Sequence, residues 1–131
     1  MNPGLFVCYN VLGDIMERIE KQMQFILEID KEKQIKRKTL QSNGKDFEDD
    51  AQHAWHMAIM TLLLSEYANE EIDVLKTISM LLIHDLVEID AGDTYAYDDL
   101  GLKTQSEREN LAANRIFNLL PDDQARKVFD L

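Results

Sequence analysis

The chain has 131 residues, 45% of them apolar, which suits one compact domain with a core rather than two independent domains. Its net charge is −11 and its longest basic run is Lys36-Arg37-Lys38, so the composition argues against a surface built for polymeric nucleic acid or an anionic membrane. The single cysteine, Cys8, excludes an internal disulfide framework and favours a reducing compartment, so we expect a cytoplasmic protein.

Residues 1–13 are mildly apolar but have no basic leader and no long apolar core, so they predict neither a signal peptide nor a membrane-spanning helix. Pro3, Gly4 and Gly13 interrupt the segment, which leaves a flexible arm, a docking strand or an unnatural start as alternatives. We therefore predict an N-terminal arm over 1–13 and one domain over 14–131.

The first half of the domain predicts two helices with a long loop between them. Apolar residues recur at helical spacing over about 15–30, which indicates an amphipathic helix. Residues 31–50 are polar and predict a long loop in which short helical pieces can form. A second helix is expected over about 50–68, with Asp49 or Asp50 as its N-cap.

The next segment predicts a buried helix and an acidic loop. Residues 72–89 are apolar on most sides at their centre, so we expect a helix enclosed by the others. Ala91-Gly92-Asp93 ends this helix. The loop that follows carries Tyr95 and Tyr97, which are candidates to line a pocket.

The last part of the chain predicts two further helices. Thr104-Gln105-Ser106-Glu107 has the spacing of a capping box, which predicts a helix over about 104–120. Pro121 then fits the first turn of another helix. Because no segment shows strand-like alternation, the predicted fold class is all-α.

The pair His84-Asp85 follows the apolar run Met80-Leu81-Leu82-Ile83 and is the most informative feature. Ionisable groups at such a position need a partner, because an unpaired polar group costs roughly 2–7 kcal/mol to bury. Glu88 lies one helical turn after His84, so these side chains and Asp85 can face one cavity. His53, on the preceding helix, can meet them from the other side. Imidazole and carboxylate donors together suit zinc, manganese, iron or cobalt better than calcium.

Each of these signals also has an ordinary structural interpretation. His53 or His56 alone is more often a helix-end or core histidine bound to a backbone carbonyl. Lys36-Arg37-Lys38 is more often a solvated charge run than a phosphate site. Three apolar residues of the second helix are more often core residues: Trp55, Met57 and Met60. The structural alternative is thus a helical bundle whose histidines and acids form a buried polar network without a metal.

The joint pattern resembles the HD-domain superfamily of metal-dependent phosphohydrolases, in the branch that includes bacterial deoxynucleoside 5′-monophosphatases. Two segments carry the resemblance: Asp50-Ala51-Gln52-His53-Ala54-Trp55-His56 and His84-Asp85-Leu86-Val87-Glu88-Ile89-Asp90-Ala91-Gly92-Asp93-Thr94-Tyr95-Ala96-Tyr97. The resemblance implies an HD-domain helical bundle in which His53, His84 and Asp85 bind a divalent transition metal. Manganese, cobalt, zinc and iron are the expected ions.

The same resemblance implies roles for three further side chains. Arg37 matches an arginine that contacts the substrate phosphate. Glu88 matches a carboxylate near the attacking water, and Asp93 matches one near the substrate sugar and the reacting centre. We therefore expect a metal-dependent phosphohydrolase that acts on a small phosphorylated metabolite, above all a (deoxy)nucleoside 5′-monophosphate, and not on polymeric nucleic acid or a membrane.

The family's fourth metal ligand is an aspartate on a later helix, and this sequence stops at Leu131 before that helix. Asp122, Asp123 and Asp130 are available carboxylates, but none lies where the family's ligand is expected. The resemblance therefore implies an HD domain without its C-terminal helices, whose exposed apolar surface would favour a homo-oligomer such as a dimer. The alternative function is a truncated, non-catalytic metal-binding or oligomerising module.

Overall fold

The computed structural model describes the backbone of residues 3–94 and 99–131, and it describes their side chains except those of 3–12, 99, 100 and 102. Most of these residues are helical, which confirms the all-α prediction. The elements, in chain order, are α1 (Pro3–Ile29), a 3₁₀ helix (Asp30–Gln34), β1 (Lys36–Leu40), β2 (Phe47–Asp49), α2 (Asp50–Leu64), a 3₁₀ helix (Ser65–Tyr67), α3 (Val74–Ile83), a 3₁₀ helix (His84–Val87), α4 (Glu88–Ala91), α5 (Asp99–Phe117) and α6 (Asp122–Phe129).

Helix α1 begins at Pro3 rather than near Ile15, so it includes most of the segment predicted to be an arm. Pro3 fits the first helical turn, where the backbone N–H that proline lacks would have no helical partner. Gly4 and Gly13 stay inside the helix because one glycine costs only about 1 kcal/mol there. The division into an arm over 1–13 and a domain beyond it stays a prediction.

The segment over 31–50, predicted to be a loop with short helical pieces, contains a 3₁₀ helix and also an unpredicted two-stranded antiparallel hairpin. Lys36 of β1 lies opposite Asp49 of β2, and the register is irregular further along the pair. At the turn, Gly44 has a φ of +68°, a conformation that favours glycine. The prediction of no strand was wrong, because most β1 side chains are exposed and the strand lacks the apolar alternation of a half-buried strand.

Helix α2 begins as predicted, with Asp49 as its N-cap. The Asp49 side chain accepts a hydrogen bond from the backbone N–H of Gln52 at 2.9 Å. The Gln52 side chain in turn accepts one from the Asp49 N–H at 3.2 Å. Because this capping box uses Asp49, the side chain of Asp50 is left for the interior, where the residue is 0% exposed.

The helix predicted over 72–89 is divided into three parts. Helix α3 ends at Ile83, a 3₁₀ helix covers His84–Val87, and α4 covers only Glu88–Ala91. A 3₁₀ stretch inside a helical segment often marks a functional or strained position. The prediction that this helix is enclosed was wrong: no α3 residue is buried and Leu75 is 76% exposed, because α3 packs chiefly on α2.

The main buried core lies where α5 packs on α4 and on the 3₁₀ segment before it. Its members are Leu86, Ala112, Ile116 and Phe117. Half-buried residues of α1, among them Phe25 and Ile29, pack against this cluster. The core therefore holds the segment that carries His84, Asp85 and Glu88 against α5.

Helix α5 begins at Asp99 rather than near Thr104, so the capping-box prediction was wrong. Thr104 lies inside the helix, and its hydroxyl donates to a backbone carbonyl one turn back at 3.4 Å. The predicted helix after Pro121 is present as α6, but Pro121 is its N-cap, with ψ of 144°, rather than a residue of its first turn. Tyr95 and Tyr97, predicted to line a pocket, lie outside the described residues.

Large apolar side chains are exposed on α1 and α2. Trp55 is 63% exposed and Met60 is 37% exposed, so their interpretation as core residues was wrong, while Met57 is half-buried. Further exposed members are Ile15, Met16, Ile19, Met23, Ile26 and Leu27 on α1, and Leu62, Leu63 and Leu64 on α2. The homo-oligomer stays a prediction. In the described part of the chain, no helix has both the length and the apolar character needed to span a membrane.

Candidate metal centre

Three predicted metal ligands come together at the point where α3 ends. His53 lies on α2, and His84 and Asp85 begin the 3₁₀ helix that follows α3. Each side chain offers one ligand atom, and these atoms all lie within 4.8 Å of one another. The two imidazole rings have centroids 5.7 Å apart, and Asp85 is buried. This grouping is close enough for all three side chains to share one ion.

The hydrogen bonds of His84 define which of its nitrogens can bind a metal. Its Nδ1 lies 2.8 Å from the carbonyl oxygen of Leu81, and a carbonyl only accepts hydrogen bonds, so Nδ1 carries the proton. The lone pair of the neutral ring is then on Nε2, which lies 3.1 Å from Asp85 Oδ1. At this distance the two atoms are held together either by a proton on Nε2 or by a cation that both atoms bind. The geometry therefore fits a bound metal ion.

His53 is oriented in the same way by a carboxylate. Its Nδ1 lies 3.2 Å from Glu48 Oε2, so Nδ1 donates and Nε2 keeps its lone pair. Two imidazole nitrogens and one carboxylate oxygen make a donor set for a divalent transition metal rather than for calcium. His56 does not join the group: it stacks on Trp55, with ring centroids 6.2 Å apart.

Arg37 lies directly beside this group. Its Nη1 donates to Asp85 Oδ2 at 2.7 Å and to Asp50 Oδ1 at 3.1 Å. The Arg37 side chain is 19% exposed and that of Asp50 is 0% exposed, so both charges are largely shielded from water. One oxygen of Asp85 thus faces His84 while the other binds the guanidinium.

Glu88 is a second buried carboxyl next to the centre, with 9% of the residue exposed. Burial, followed by the charges of Asp50, Asp85 and Asp93, raises its pKa to about 8. Its Oε2 is buried without a hydrogen-bond partner among the described atoms. The side chain of Asp93, two residues after α4, is half-buried and close enough to repel Glu88.

Sequence reasoning missed two buried acids of this region, Glu32 and Asp50. Asp50 was considered only as a helix cap, but Asp49 takes that role and Asp50 pairs with Arg37. The double aspartate was a usable signal, because a helix needs only one N-cap. Glu32 is 8% exposed, and burial, followed by the charge of Asp50, raises its pKa to about 7. Nothing in its local sequence indicates this burial.

Replacing Glu32 with Gln is expected to stabilise the chain at pH 8 but not at pH 5. The pKa of Glu32 is raised from 4.5 to about 7, so the folded state binds more protons between these values and the free energy of unfolding falls as pH rises. Gln carries no charge, so its free energy of unfolding does not fall in this way. At pH 8 the variant should therefore be more stable than the unsubstituted chain by up to about 3 kcal/mol. Thermal unfolding with a chelator at both pH values measures the effect. The exposed Glu20→Gln is the control, and equal shifts in both variants would contradict the prediction.

The acids considered for a fourth ligand lie elsewhere. Asp123 accepts hydrogen bonds from both terminal nitrogens of Arg18, at 2.7 and 3.0 Å, and this pair ties α6 to α1. Asp122 and Asp130 are exposed at the two ends of α6. Among the residues that the structure describes, no other acid, histidine or cysteine joins the group of three ligands.

Comparison with known proteins gives concordant matches. A family model described as HD domain matches residues 29–131. The 5′-deoxynucleotidase HDDC2 of Dictyostelium discoideum is 30% identical over 115 residues, covering 83% of this chain and 60% of that protein. Its human counterpart is 25% identical over 79 residues, covering 60% of this chain and 37% of that protein.

A solved structure is also similar: a predicted metal-dependent phosphohydrolase from Magnetospirillum magnetotacticum MS-1. It superimposes with a TM-score of 0.81 at 48% sequence identity, covering 87% of this chain and 57% of that chain. The chain thus spans less than two thirds of the length of these relatives. Since the family model matches most of its residues, the chain belongs to the HD-domain family.

Proposed function

We propose that the chain carries the metal centre of a phosphohydrolase that removes phosphate from a small nucleotide, with a deoxynucleoside 5′-monophosphate as its expected substrate. One observation carries the proposal: the guanidinium of Arg37 lies 2.7 Å from the same carboxylate that belongs to the group of possible metal ligands. A fixed cation beside a metal site suits a phosphate group. The names of the HDDC2 relatives support the nucleotide as substrate.

The residues divide the work of ester hydrolysis between them. His53, His84 and Asp85 would hold a divalent ion, whose positive charge would polarise a phosphoryl oxygen and lower the pKa of a nearby water. Arg37 has N–H groups beyond the Nη1 that binds Asp85 and Asp50, and these offset the charge that develops on the phosphoryl oxygens.

In this proposal Glu88 transfers the proton that the attacking water loses. Hydrolysis joins the water oxygen to phosphorus and breaks the bond from phosphorus to the 5′-oxygen, so one proton leaves the water and one reaches the 5′-oxygen. The Glu88 carboxyl group is buried and close enough to Asp85 for their charges to interact, so it lies where it can accept the proton that the water loses. Asp93 lies beside Glu88 and contacts the sugar or the reacting centre in this proposal.

Phosphate release from a panel of ribo- and deoxyribonucleoside 5′-monophosphates tests the function. We expect release with added manganese or cobalt and none with a chelator. Zinc and iron are the other metals to compare. The Asp85→Ala variant serves as the matched control and should release no phosphate from any of these substrates.

The panel also separates the alternatives. Bound metal without phosphate release from any substrate would replace this proposal with a non-catalytic metal-binding module. Neither bound metal nor release would indicate a buried polar network with a structural role only.

A further inference from the structure

Arg108 of α5 bridges the turn that follows α4. Its Nη1 donates to the carbonyl oxygen of Ala91, the last residue of α4. Its Nη2 donates to the Thr94 hydroxyl at 2.7 Å. Two nitrogens of one planar guanidinium therefore bind the chain on both sides of Gly92 and Asp93.

The turn between these two anchors depends on glycine. Gly92 has φ +73° and ψ 147°, a region that residues with a Cβ rarely adopt. Its N–H donates to the carbonyl of Glu88 at 2.8 Å, which closes the last turn of α4. Glycine restricts the backbone less than any other residue. The position of Asp93 after this turn therefore depends on contacts made by the neighbouring residues.

The guanidinium of Arg108 is itself held in place by its own helix. Its Nε lies 3.4 Å from the Thr104 hydroxyl and its Nη2 lies 3.4 Å from the carbonyl of Gly101. Arg108 is half-buried, so its position is defined by packing as well as by these bonds. Lysine keeps the charge but has a single nitrogen, which cannot reach both sides of the turn in this fixed geometry.

We propose that Arg108 is a positioning residue that holds Asp93 at a fixed place beside Glu88. The inference rests on the proposed function, in which both carboxyl groups serve the reaction. Arg108 lies on the side of α5 that faces the turn and needs no contact with the substrate. It acts through the backbone of residues 91–94.

Arg115 provides a matched control on the same helix. It binds Asp90 of α4 and, at 2.7 Å, Glu28 of α1, so it also joins α5 to the neighbouring segment. It makes none of the contacts across Gly92. A general loss of α5 packing would affect Arg108→Lys and Arg115→Lys alike, whereas loss of the bridge affects only the first.

Amide hydrogen exchange tests the bridge independently of activity. In the full chain, Arg108→Lys should speed exchange in residues 92–94 by at least about 10-fold, above all at the Gly92 N–H that binds Glu88, because the turn loses its contacts at the Ala91 carbonyl and the Thr94 hydroxyl. Arg115→Lys should leave exchange in these residues unchanged. Unchanged exchange in Arg108→Lys would overturn the bridge and leave the proposed function standing.

A double-mutant cycle tests the catalytic consequence. Arg108→Lys should lower kcat by about 10- to 100-fold, the size expected for a displaced catalytic group, with manganese affinity unchanged. In an Asp93→Asn background the same substitution should have no further effect, because Arg108 acts through Asp93. Additive losses would overturn the positioning role. Absence of phosphate release from the unsubstituted chain would overturn the proposed function, while hydrogen exchange would still decide the bridge.

Discussion

Replacing Asp85 with Asn should lower the affinity for manganese by at least about 100-fold and reduce metal-dependent phosphate release to background. Asp85 supplies the only carboxylate oxygen of the group of three ligands found in the described part of the chain. Its Oδ1 lies 3.1 Å from His84 Nε2, so an amide there removes the negative charge from the site. Asn keeps the size of the side chain, which limits damage to the fold.

Calorimetric titration with manganese and a phosphate-release assay measure the two effects. Asp90→Asn is the matched control, since Asp90 lies five residues on, binds Arg115 and is not one of the grouped ligands. We expect the control to bind manganese like the unsubstituted chain. If Asp85→Asn still bound manganese like the unsubstituted chain, or still released phosphate, the assignment of Asp85 as a metal ligand would be wrong.

Replacing Arg37 with Met should lower the free energy of unfolding by about 3–5 kcal/mol, because it breaks a buried ion pair by removing one partner. Asp50 is 0% exposed and takes a hydrogen bond from Arg37 at 3.1 Å, so its charge would be left without compensation. Met fills much of the volume of the arginine side chain. The loss therefore reports charge rather than packing.

Urea unfolding at pH 7 with a chelator measures this effect without a contribution from metal binding. Lys36→Met is the control on the same strand: Lys36 is 61% exposed at its side chain and lies 3.3 Å from Asp49, so its loss should cost less than about 1 kcal/mol. The double variant Arg37→Met with Asp50→Asn should recover part of the stability. Equal costs for Arg37→Met and Lys36→Met would show that the pair is not important for the fold.

Local sequence patterns predicted much of the helical framework. The N-cap of α2 at Asp49 was correct and the start of α6 was correct to within one residue of Pro121, because capping and proline preferences act within a few residues. The start of α5 was wrong for a related reason: Thr104 has the right neighbours for a cap, yet the helix already continues through it. A local signal shows where a helix can begin and not where it must.

Such local patterns could not predict the hairpin or the division of the helix over 72–89. Strand β1 is mostly exposed, so it carries no apolar alternation to be recognised. The segment around His84 keeps helical spacing in sequence, but its winding tightens to a 3₁₀ helix before α4. Packing of Leu86 into the core with α5 accompanies this change.

By itself, the sequence determined the fold class and the identity of the candidate ligands, because helical periodicity and the His84-Asp85 pair are local features. Only the tertiary structure decided that Asp50 and Glu32 are buried, that Arg37 joins Asp50 to Asp85, and that Arg108 bridges Gly92. These properties arise between elements far apart in the chain. Burial and charge pairing depend on how whole elements pack, which the order of neighbouring residues does not encode.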